Sequence, residues 1–285
     1  MDIQSSLSWA KENLQGISQT ASLDSEVLLA YLLRQTKEYL LTHPEKRLNK
    51  KFIQDYRNLV SRRAKGEPVA YLINHQEFFG LDFYVDHRVL IPRPETEALV
   101  EDVLEICSKN PQIKHIVDLG TGSGCIAIVL AKNLSQSQVW ALEISEDALR
   151  IADINVKKHQ LEDRIDLIQS NLLVNYPEEL QKEKPIIIAN LPYIGTSESN
   201  FIAQETEKYE PHLALFGGKD GLFYYEKLLQ QIRERKILFH SMFFEIGFSQ
   251  EEKIQKLIKK HLPQSKVTVK KDLADLPRTV EIALL

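Results

Sequence analysis

The chain has 285 residues, of which 43% are hydrophobic, so it is long enough for one large domain or two smaller ones and too apolar to be disordered. Its formal net charge of −4 is not that of a protein that coats nucleic acid, although this does not exclude a local basic patch. The two cysteines, Cys107 and Cys125, lack the spacing of a metal site or a disulfide framework. The first residues do not read as a signal peptide and no segment reaches the roughly 18 apolar residues of a membrane span, so we expect a cytoplasmic protein without membrane contact or metal.

The first 75 residues show only helical patterns. Apolar residues recur at helical spacing in three stretches, which begin near Leu7, Ser22 and Asn49, and Gly66 and Pro68 end the third. No cluster of catalytic residue types is present. We therefore expect residues 1–75 to form a small all-helical N-terminal domain, which either only packs or docks a macromolecular substrate.

The hydrophobic period changes at residue 76. Alternating apolar residues up to Val85 are followed by a polar turn at Asp86–Arg88 and by a short run that ends at Ile91, which predicts a β-hairpin. We assign residues 76–94 to this hairpin link. Pro94 and the acidic residues after it mark the start of a helix, and with it a domain of residues 95–285.

From His115 onward, strand patterns and helix patterns alternate. The predicted strands are His115–Gly120, Gln138–Ser145, Ile165–Asn171, Lys184–Ala189, Ile237–Gly247, Lys266–Leu273 and Arg278–Leu285. This alternation predicts an α/β fold, a Rossmann-like seven-stranded and mostly parallel sheet. Only a short turn separates the last two strands, so we expect the terminal strand to pair antiparallel. The long segment Tyr193–Gly221 lacks periodicity, and we interpret it as a substrate-binding loop.

A glycine-rich turn joins the first strand of this domain to the helix after it. Its candidate ligand-binding residues are Asp118, Gly120, Thr121, Gly122, Ser123 and Gly124. Glycines let a backbone turn sharply and approach a ligand closely. The next strand ends at Glu143, where an acid suits the two hydroxyls of a ribose. The pair of features predicts a nucleoside ligand.

The acid that leads this turn helps to choose between nucleosides. Cys125 stands where the dinucleotide pattern G-x-G-x-x-G/A, counted from Gly120, requires glycine or alanine, so that pattern is broken. The carboxylate of Asp118 would repel a pyrophosphate, but it would attract the amino group of a methionine tail. We therefore favour S-adenosylmethionine over NAD.

The third strand ends at Asn171 and Leu172. In this ligand geometry that strand end lies beside the adenine, where an amide can both accept and donate hydrogen bonds and Leu172 can pack on the ring. The local pattern fits a simple polar turn equally well.

The fourth strand carries the most informative residues. The β-branched run Ile186–Ile188 is typical of a strand buried on both faces, and Asn190, Leu191, Pro192 and Tyr193 follow it. Open α/β sheets bind ligands at this edge. A planar amine or amide nitrogen is a poor nucleophile, because its lone pair is delocalised. The side-chain oxygen of Asn190 and the backbone carbonyl of Leu191 can each accept one N–H, and Tyr193 can stack on the substrate. These residues are therefore the candidate catalytic group, which acts by positioning and by stabilising charge on nitrogen.

Together the glycine turn and Asn190–Tyr193 resemble the class I S-adenosylmethionine-dependent methyltransferases, and more specifically the peptide-chain release factor N5-glutamine methyltransferases. The resemblance extends over about residues 65 to 285. The further motifs that support it are Glu67-Pro68, Ala70–Leu72, Glu77-Phe78, Leu90–Glu97, Tyr209–Pro211, Gly217–Leu222, Glu245–Gly247 with Gln250, and Asp272 with Arg278.

The resemblance implies methyl transfer to the side-chain amide of the glutamine in the Gly-Gly-Gln loop of release factors. It implies that Gly120–Gly124, Glu143, Asn171, Leu172 and Asn190 hold the cofactor and that Asn190–Tyr193 hold the glutamine. The residues expected to help to wall the substrate pocket are Arg93, Pro94, Glu95, Thr96 and Glu97. The expected partner is a release factor, with no stable nucleic acid partner, and we expect a monomer.

The chain departs from the family pattern at three positions. Leu191 stands where Pro is usual, and Glu143 and Asn171 stand where Asp is usual. Asn-Leu-Pro-Tyr is also the form found in ribosomal RNA adenine N6-dimethyltransferases, so an RNA methyltransferase is the alternative enzyme. A nucleotide-binding protein without catalysis is the alternative of a different class, but it would not need Asn190 and Tyr193 at the ligand edge.

Overall fold

The computed structural model describes residues 1–196, 202–272 and 274–284. The chain forms two compact units, one of Met1–His75 with Ala203–Tyr209 and the other of Gln76–Ile202 with Glu210–Leu285. The helices are α1 Ile3–Leu14, α2 Ala21–Leu33, α3 Lys37–Thr42, α4 Lys50–Arg63, α5 Val69–Ile73, α6 Glu95–Lys109, α7 Cys125–Asn133, α8 Glu146–Lys158, α9 Gln204–Tyr209, α10 His212–Leu215, α11 Phe223–Arg235 and α12 Glu251–His261, with a 3₁₀ turn at Glu178–Gln181. The strands are β1 Gln76–Phe78, β2 Leu81–Phe83, β3 His115–Leu119, β4 Gln138–Glu143, β5 Ile165–Gln169, β6 Ile186–Ala189, β7 Ser241–Glu245, β8 Ser265–Lys271 and β9 Pro277–Leu284.

The first unit is all-helical. α1 begins with a capping box, in which Asp2 accepts a hydrogen bond from the backbone of Ser5 at 2.8 Å and Ser5 accepts one from the backbone of Asp2 at 3.1 Å. α1, α2 and α4 pack around a core that includes Leu14, Leu28 and Tyr56, each at most 1% exposed. In the residues that the structure describes, no helix is long and apolar enough to cross a membrane.

The hairpin at the start of the second unit is shorter than the sequence suggests. β1 and β2 pair antiparallel, and the chain reverses at Phe79 and Gly80, whose φ angles are 52° and 72°. The prediction that the turn at Asp86–Arg88 joins the strands of the hairpin is therefore wrong, although a turn is present there, closed by the backbone N–H of Val89 on the carbonyl of Asp86 at 3.1 Å. Two consecutive residues with positive φ form the tight turn that matches strand twist, and a phenylalanine in such a turn gives no compositional signal. Residues 84–94 contain no strand.

The second unit is built on one sheet, whose strand order is β5-β4-β3-β6-β7-β9-β8. The neighbours from β5 to β7 pair parallel, whereas β9 lies between β7 and β8 and pairs antiparallel with both. The predicted seven-stranded, mostly parallel sheet with an antiparallel terminal strand is confirmed. Strand order reverses beside β3, so its carboxyl end and that of β6 form the usual ligand crevice of such sheets.

The centre of the sheet is fully buried. Ile186, Ile187, Ile188 and Ala189 of β6 are all 0% exposed, as the non-alternating run predicts. β3 and β6 are in register at Leu119 and Ala189, so the residues after each strand emerge side by side. This register brings Gly120 and Asn190 to the same edge.

Candidate active site

A cleft opens at the carboxyl ends of β3, β4, β5 and β6. Eight of the residues predicted from the sequence line it: Gly120, Gly122, Glu143, Asn171, Leu172, Asn190, Leu191 and Pro192. The rest of its lining comes from residues 88–90, from Ile144, Ser145, Ala148 and Ser170, and from Pro211, Leu213, Ala214 and Tyr224. The segment Tyr193–Gly221 thus contributes one wall through α10, while its residues 197–201 lie outside the described residues.

Gly120 allows β3 and β6 to present their ends closely together. Its φ is +72°, a conformation that side chains rarely adopt, and a Cβ there would stand 3.1 Å from Cδ2 of Leu191. The backbone of Gly120 donates to the carbonyl of Leu142 at 2.7 Å, which continues the β4 pairing into the turn. Leu191 therefore packs over a position that only glycine fits without strain.

Glu143 ends β4 with its carboxylate at the cleft. Oε1 accepts the backbone N–H groups of Ile144 and Ser145 at 2.9 and 3.0 Å, and Oε2 accepts that of Gly122 at 3.0 Å. Burial raises the pKa of this carboxyl, while the three N–H donors favour its ionised form. A carboxylate has roughly four acceptor positions, so about one remains for a hydroxyl donor.

Four of the predicted residues do not line the cleft but stabilise the glycine-rich turn itself: Asp118, Thr121, Ser123 and Gly124. Oδ2 of Asp118 accepts the Thr121 hydroxyl at 2.6 Å, whereas Oδ1 has no hydrogen-bond partner among the described residues. Asp118 is 0% exposed, and burial raises its pKa to about 7. The carbonyl of Ser123 accepts from Asn155 at 2.8 Å, and Gly124 opens α7 with a φ of +80°.

Asn171 and Leu172 stand at the end of β5. Oδ1 of Asn171 accepts from Nζ of Lys227 at 3.3 Å, so the amide nitrogen lies on the other side of the group. Leu172 has a φ of 55° and is 8% exposed at the cleft. Lys227, on α11, is therefore a partner that fixes the orientation of this amide.

The side chain of Asn190 is held by two partners. Its Nδ2 lies 3.1 Å from Oγ1 of Thr96 on α6 and 3.1 Å from Oε2 of Glu245 at the end of β7. Both amide hydrogens are used in these bonds, because a carboxylate can only accept. The oxygen of Asn190 is thus left for another donor.

The backbone of Leu191 is fixed by Tyr225. The Tyr225 hydroxyl accepts the N–H of Leu191 at 3.3 Å and donates to the carbonyl of Glu245. The carbonyl of Leu191 lies 3.5 Å from the same hydroxyl. A hydroxyl has one hydrogen, and the bond to Glu245 is the shorter, so the Leu191 carbonyl keeps its capacity to accept.

Tyr193 lies behind the cleft rather than on its lining. Its hydroxyl is 3.1 Å from Oε1 of Glu245, and its ring is partly buried against the core of the unit. Its carbonyl accepts from Nε2 of Gln250 at 2.7 Å. Stacking of Tyr193 on a substrate stays a prediction.

The glycine-rich loop after α10 packs against the backbone of Pro192 and Tyr193. A Cβ on Gly217 would stand 2.1 Å from the Pro192 carbonyl oxygen, and one on Gly221 would stand 1.9 Å from that of Tyr193. Gln250 is 1% exposed and also donates to the carbonyl of Asp220 at 3.0 Å, so it ties the loop to Tyr193. The glycines thus allow the loop to support the candidate catalytic backbone.

None of the residues from Arg93 to Glu97 lines the cleft. Arg93 forms an ion pair with buried Glu210, which also accepts the N–H of Ile91 at 3.0 Å. Thr96 supports Asn190, and Glu97 accepts the N–H of Phe79 at 2.8 Å. The sequence predicted Arg93, Pro94, Glu95, Thr96 and Glu97 as part of the pocket wall. In the structure Thr96 contacts Asn190 of the lining, whereas Arg93 and Glu97 contact Glu210 and Phe79.

Sequence reasoning assigned no role to several residues that the structure brings to the site. Glu245, Tyr225 and Lys227 contact Asn190, Leu191 and Asn171 from elements distant in the chain. The signals for Glu245 were an acid at the end of a buried strand and its place in the Glu245–Gly247 motif of the family resemblance. The residues missed on the lining itself include Ile144, Leu213 and Tyr224.

The residues present fit a nucleoside ligand. Gly120 offers a surface that a Cβ would fill, Glu143 retains an acceptor position, and Leu172 and Ile144 give the cleft an apolar wall. Within the described residues, no three His, Cys, Asp or Glu side chains are grouped as a metal site would require.

Two family models match parts of the chain. A family model described as "PrmC N-terminal domain" matches residues 5–73, and one described as "Methyltransferase small domain" matches residues 96–209. Among solved structures, the N-terminal domain of human METTL16 in complex with SAH has a TM-score of 0.53 at 17% identity, covering 90% of this chain and 94% of that one. At this identity the likeness shows the fold alone.

Similarity in sequence is closer to two curated relatives. The release factor glutamine methyltransferase of Koribacter versatilis is 36% identical, covering 90% of this chain and 89% of that protein. The bifunctional methyltransferase of Rickettsia bellii is 34% identical over 92% of this chain, which spans 51% of that protein's length. At this identity and coverage, the chain belongs to the family of release factor glutamine methyltransferases.

Proposed function

We propose that this protein transfers a methyl group from S-adenosylmethionine to N5 of the glutamine in the Gly-Gly-Gln motif of peptide chain release factors. The observation that carries the proposal is the geometry of Asn190. Its two N–H hydrogens are taken by Thr96 and Glu245, so its oxygen faces a cleft that belongs to a methyltransferase fold.

The acceptors at the end of β6 suit a primary amide. Oδ1 of Asn190 accepts one N–H of the glutamine and the Leu191 carbonyl accepts the other. The two bonds orient the nitrogen with its lone pair perpendicular to their plane. Because Tyr225 fixes the Leu191 backbone and Thr96 fixes the Asn190 amide, both acceptors are preorganised.

The cofactor supplies an electrophilic methyl on a sulfonium when it is bound. We propose that Gly120 and Gly122 pack against it, that Glu143 accepts a ribose hydroxyl, and that Asn171 and Leu172 contact the adenine. The chain then has to hold the amide nitrogen in line at about 3–3.5 Å. No base has to act before transfer, because the nitrogen releases its proton readily once it carries the methyl group.

The helical unit has a proposed role in docking the release factor. Three basic residues are exposed at and just before the start of α4: Arg47, Lys50 and Lys51. Positive side chains at this end of a helix are unfavourable, because the positive end of the helix dipole lies there. If they contact the protein substrate, changing Lys50 and Lys51 to Glu raises KM for the intact factor. The same change leaves KM unaltered for a short Gly-Gly-Gln peptide, and equal effects on both substrates would contradict docking.

Methyl transfer from labelled S-adenosylmethionine tests the proposed function. The acceptors are a bacterial-type release factor, the same factor with its Gly-Gly-Gln glutamine changed to alanine, and small-subunit ribosomal RNA. Label on the intact factor, with none on its alanine variant or on the RNA, supports the proposal. Label on RNA alone would favour the adenine N6-methyltransferase alternative, which rests on Leu191 within Asn-Leu-Pro-Tyr.

A further inference from the structure

Glu245 occupies an unusual place for an acid, because it is the last residue of the buried strand β7 and is only 1% exposed. β6 and β7 are parallel neighbours in register at Ala189 and Phe244. The next residue of each strand is therefore Asn190 on one and Glu245 on the other. The sheet itself places the acid beside the candidate catalytic amide.

Three donors converge on this carboxylate. Nδ2 of Asn190 lies 3.1 Å from Oε2, and the Tyr193 hydroxyl lies 3.1 Å from Oε1. The Thr96 hydroxyl also donates to it. Burial raises the pKa of this carboxyl, whereas the hydrogen bond from Thr96 and the nearby cation Arg278 favour its charged form. Burying a carboxylate costs free energy unless such partners are present, so the cluster is built around an acceptor.

An acceptor at this position determines the orientation of Asn190. The carboxylate requires the nitrogen end of the amide, and Thr96, which gives its own hydrogen to Glu245, can accept the second N–H. The oxygen end is then the one that faces the cleft. If the Asn190 amide were rotated by half a turn, it would present N–H donors to the N–H groups of the substrate amide. Two donors cannot form a hydrogen bond, so the substrate nitrogen would not be held.

We infer that Glu245 is a positioning residue, which acts through Asn190 to present an acceptor oxygen to the substrate amide. The inference rests on the proposed function. Glu245 does not touch the substrate, since Asn190 lies between it and the cleft.

The test compares Glu245→Gln with Asn190→Ala and with the double variant. Glutamine has the same shape but offers an N–H to Asn190, so the amide loses its fixed orientation. We expect kcat on the release factor to fall about 10²-fold, as for other preorganised polar groups. In the Asn190→Ala background the same change costs less than about threefold, because residues that act as a unit are not additive. Binding of S-adenosylhomocysteine, measured by calorimetry, stays within about twofold.

A readout independent of activity separates this inference from the proposed function. In the wild-type protein, the two Nδ2 hydrogens of Asn190 resist exchange with solvent by NMR, and in Glu245→Gln they lose that protection. If the wild type methylates no release factor but the protection pattern holds, the proposed function fails and the positioning stands.

Asp102→Asn is the matched control, because it removes a part-buried carboxylate that pairs with Lys270 away from the cleft. It leaves kcat unchanged. If Glu245→Gln does not fold, Thr96→Val removes the hydroxyl that bridges Asn190 and Glu245 and lowers kcat in the same way. Wild-type turnover in whichever of these two variants folds would overturn the inference. So would a further loss of about 10²-fold when Glu245→Gln is added to Asn190→Ala.

Discussion

Gly221 lies directly against the backbone of Tyr193: a Cβ on this glycine would stand 1.9 Å from the Tyr193 carbonyl oxygen. The φ of Gly221 is +77°, so both its conformation and its surroundings require glycine. The glycine-rich loop is thus part of what fixes the end of β6. This contact is the basis of the first prediction.

Changing Gly221 to Ala displaces Tyr193 and lowers kcat about tenfold or more, since small misplacements of positioning groups are costly. Gly80→Ala separates this effect from backbone strain, because Gly80 has a similar φ of +72° with nothing within 4 Å of a Cβ. The measurement is kcat together with the thermal midpoint of each variant. If the two variants lose the same activity and stability, the contact with Tyr193 has no special role.

Asn190→Ala removes the acceptor for one N–H of the substrate amide. We expect turnover to fall about 10²-fold or more, because preorganised polar groups contribute this much to transition-state stabilisation. Binding of S-adenosylmethionine is measured alongside by calorimetry, because the family resemblance also implies a contact between Asn190 and the cofactor. A variant that binds the cofactor normally and turns over at the wild-type rate would refute the assignment of Asn190.

Asn171→Asp should strengthen cofactor binding. The carboxylate keeps the contact with Lys227, 3.3 Å from the present Oδ1, and its second oxygen becomes an acceptor on the adenine side. A hydrogen bond to a charged group contributes about 1.5 kcal/mol, which corresponds to roughly tenfold in Kd. Calorimetry with S-adenosylhomocysteine checks this. Unchanged affinity would mean that Asn171 does not contact the adenine.

Asp118 makes the stability depend on pH. Burial raises its pKa from 3.8 to about 7 in the folded chain, with a further contribution from the charge of Glu143. The folded state holds this proton more tightly than the unfolded chain does, so the stabilisation is complete below about pH 4 and is lost as the pH rises towards 7.

Comparison with Asp118→Asn isolates this contribution. The free energy of unfolding of the wild type, relative to the variant, should fall by up to about 1.4 kcal/mol per pH unit in that window. Urea unfolding at a series of pH values measures it. Parallel curves for the two proteins would show that Asp118 does not titrate in this range.

Local patterns in the sequence were enough to predict the central part of the fold. The run Ile186–Ile188 has no polar alternation because both of its faces are covered, and the glycines after β3 mark a turn that side chains would obstruct. The residues that line the cleft at Gly120 and Asn190 follow from these two elements, because parallel strands end at one edge.

Contacts between distant parts of the chain were not predictable in the same way. Glu245 meets Asn190 across 55 residues, and the contact depends on β7 lying beside β6, which no local pattern encodes. The hairpin turn at Phe79 was missed because a phenylalanine with positive φ has no turn signature. Thr96 was expected near the substrate pocket, but its role as support for Asn190 needed the packing of α6 against the strand end.

The most direct measurement is tandem mass spectrometry of a release factor after incubation with this protein and S-adenosylmethionine. The account predicts the added mass of one methyl group on the glutamine of the Gly-Gly-Gln peptide. It also predicts that this modification is strongly reduced with Asn190→Ala. A methyl group on any other residue, or an unmodified factor alongside methylated adenine in ribosomal RNA, would contradict it.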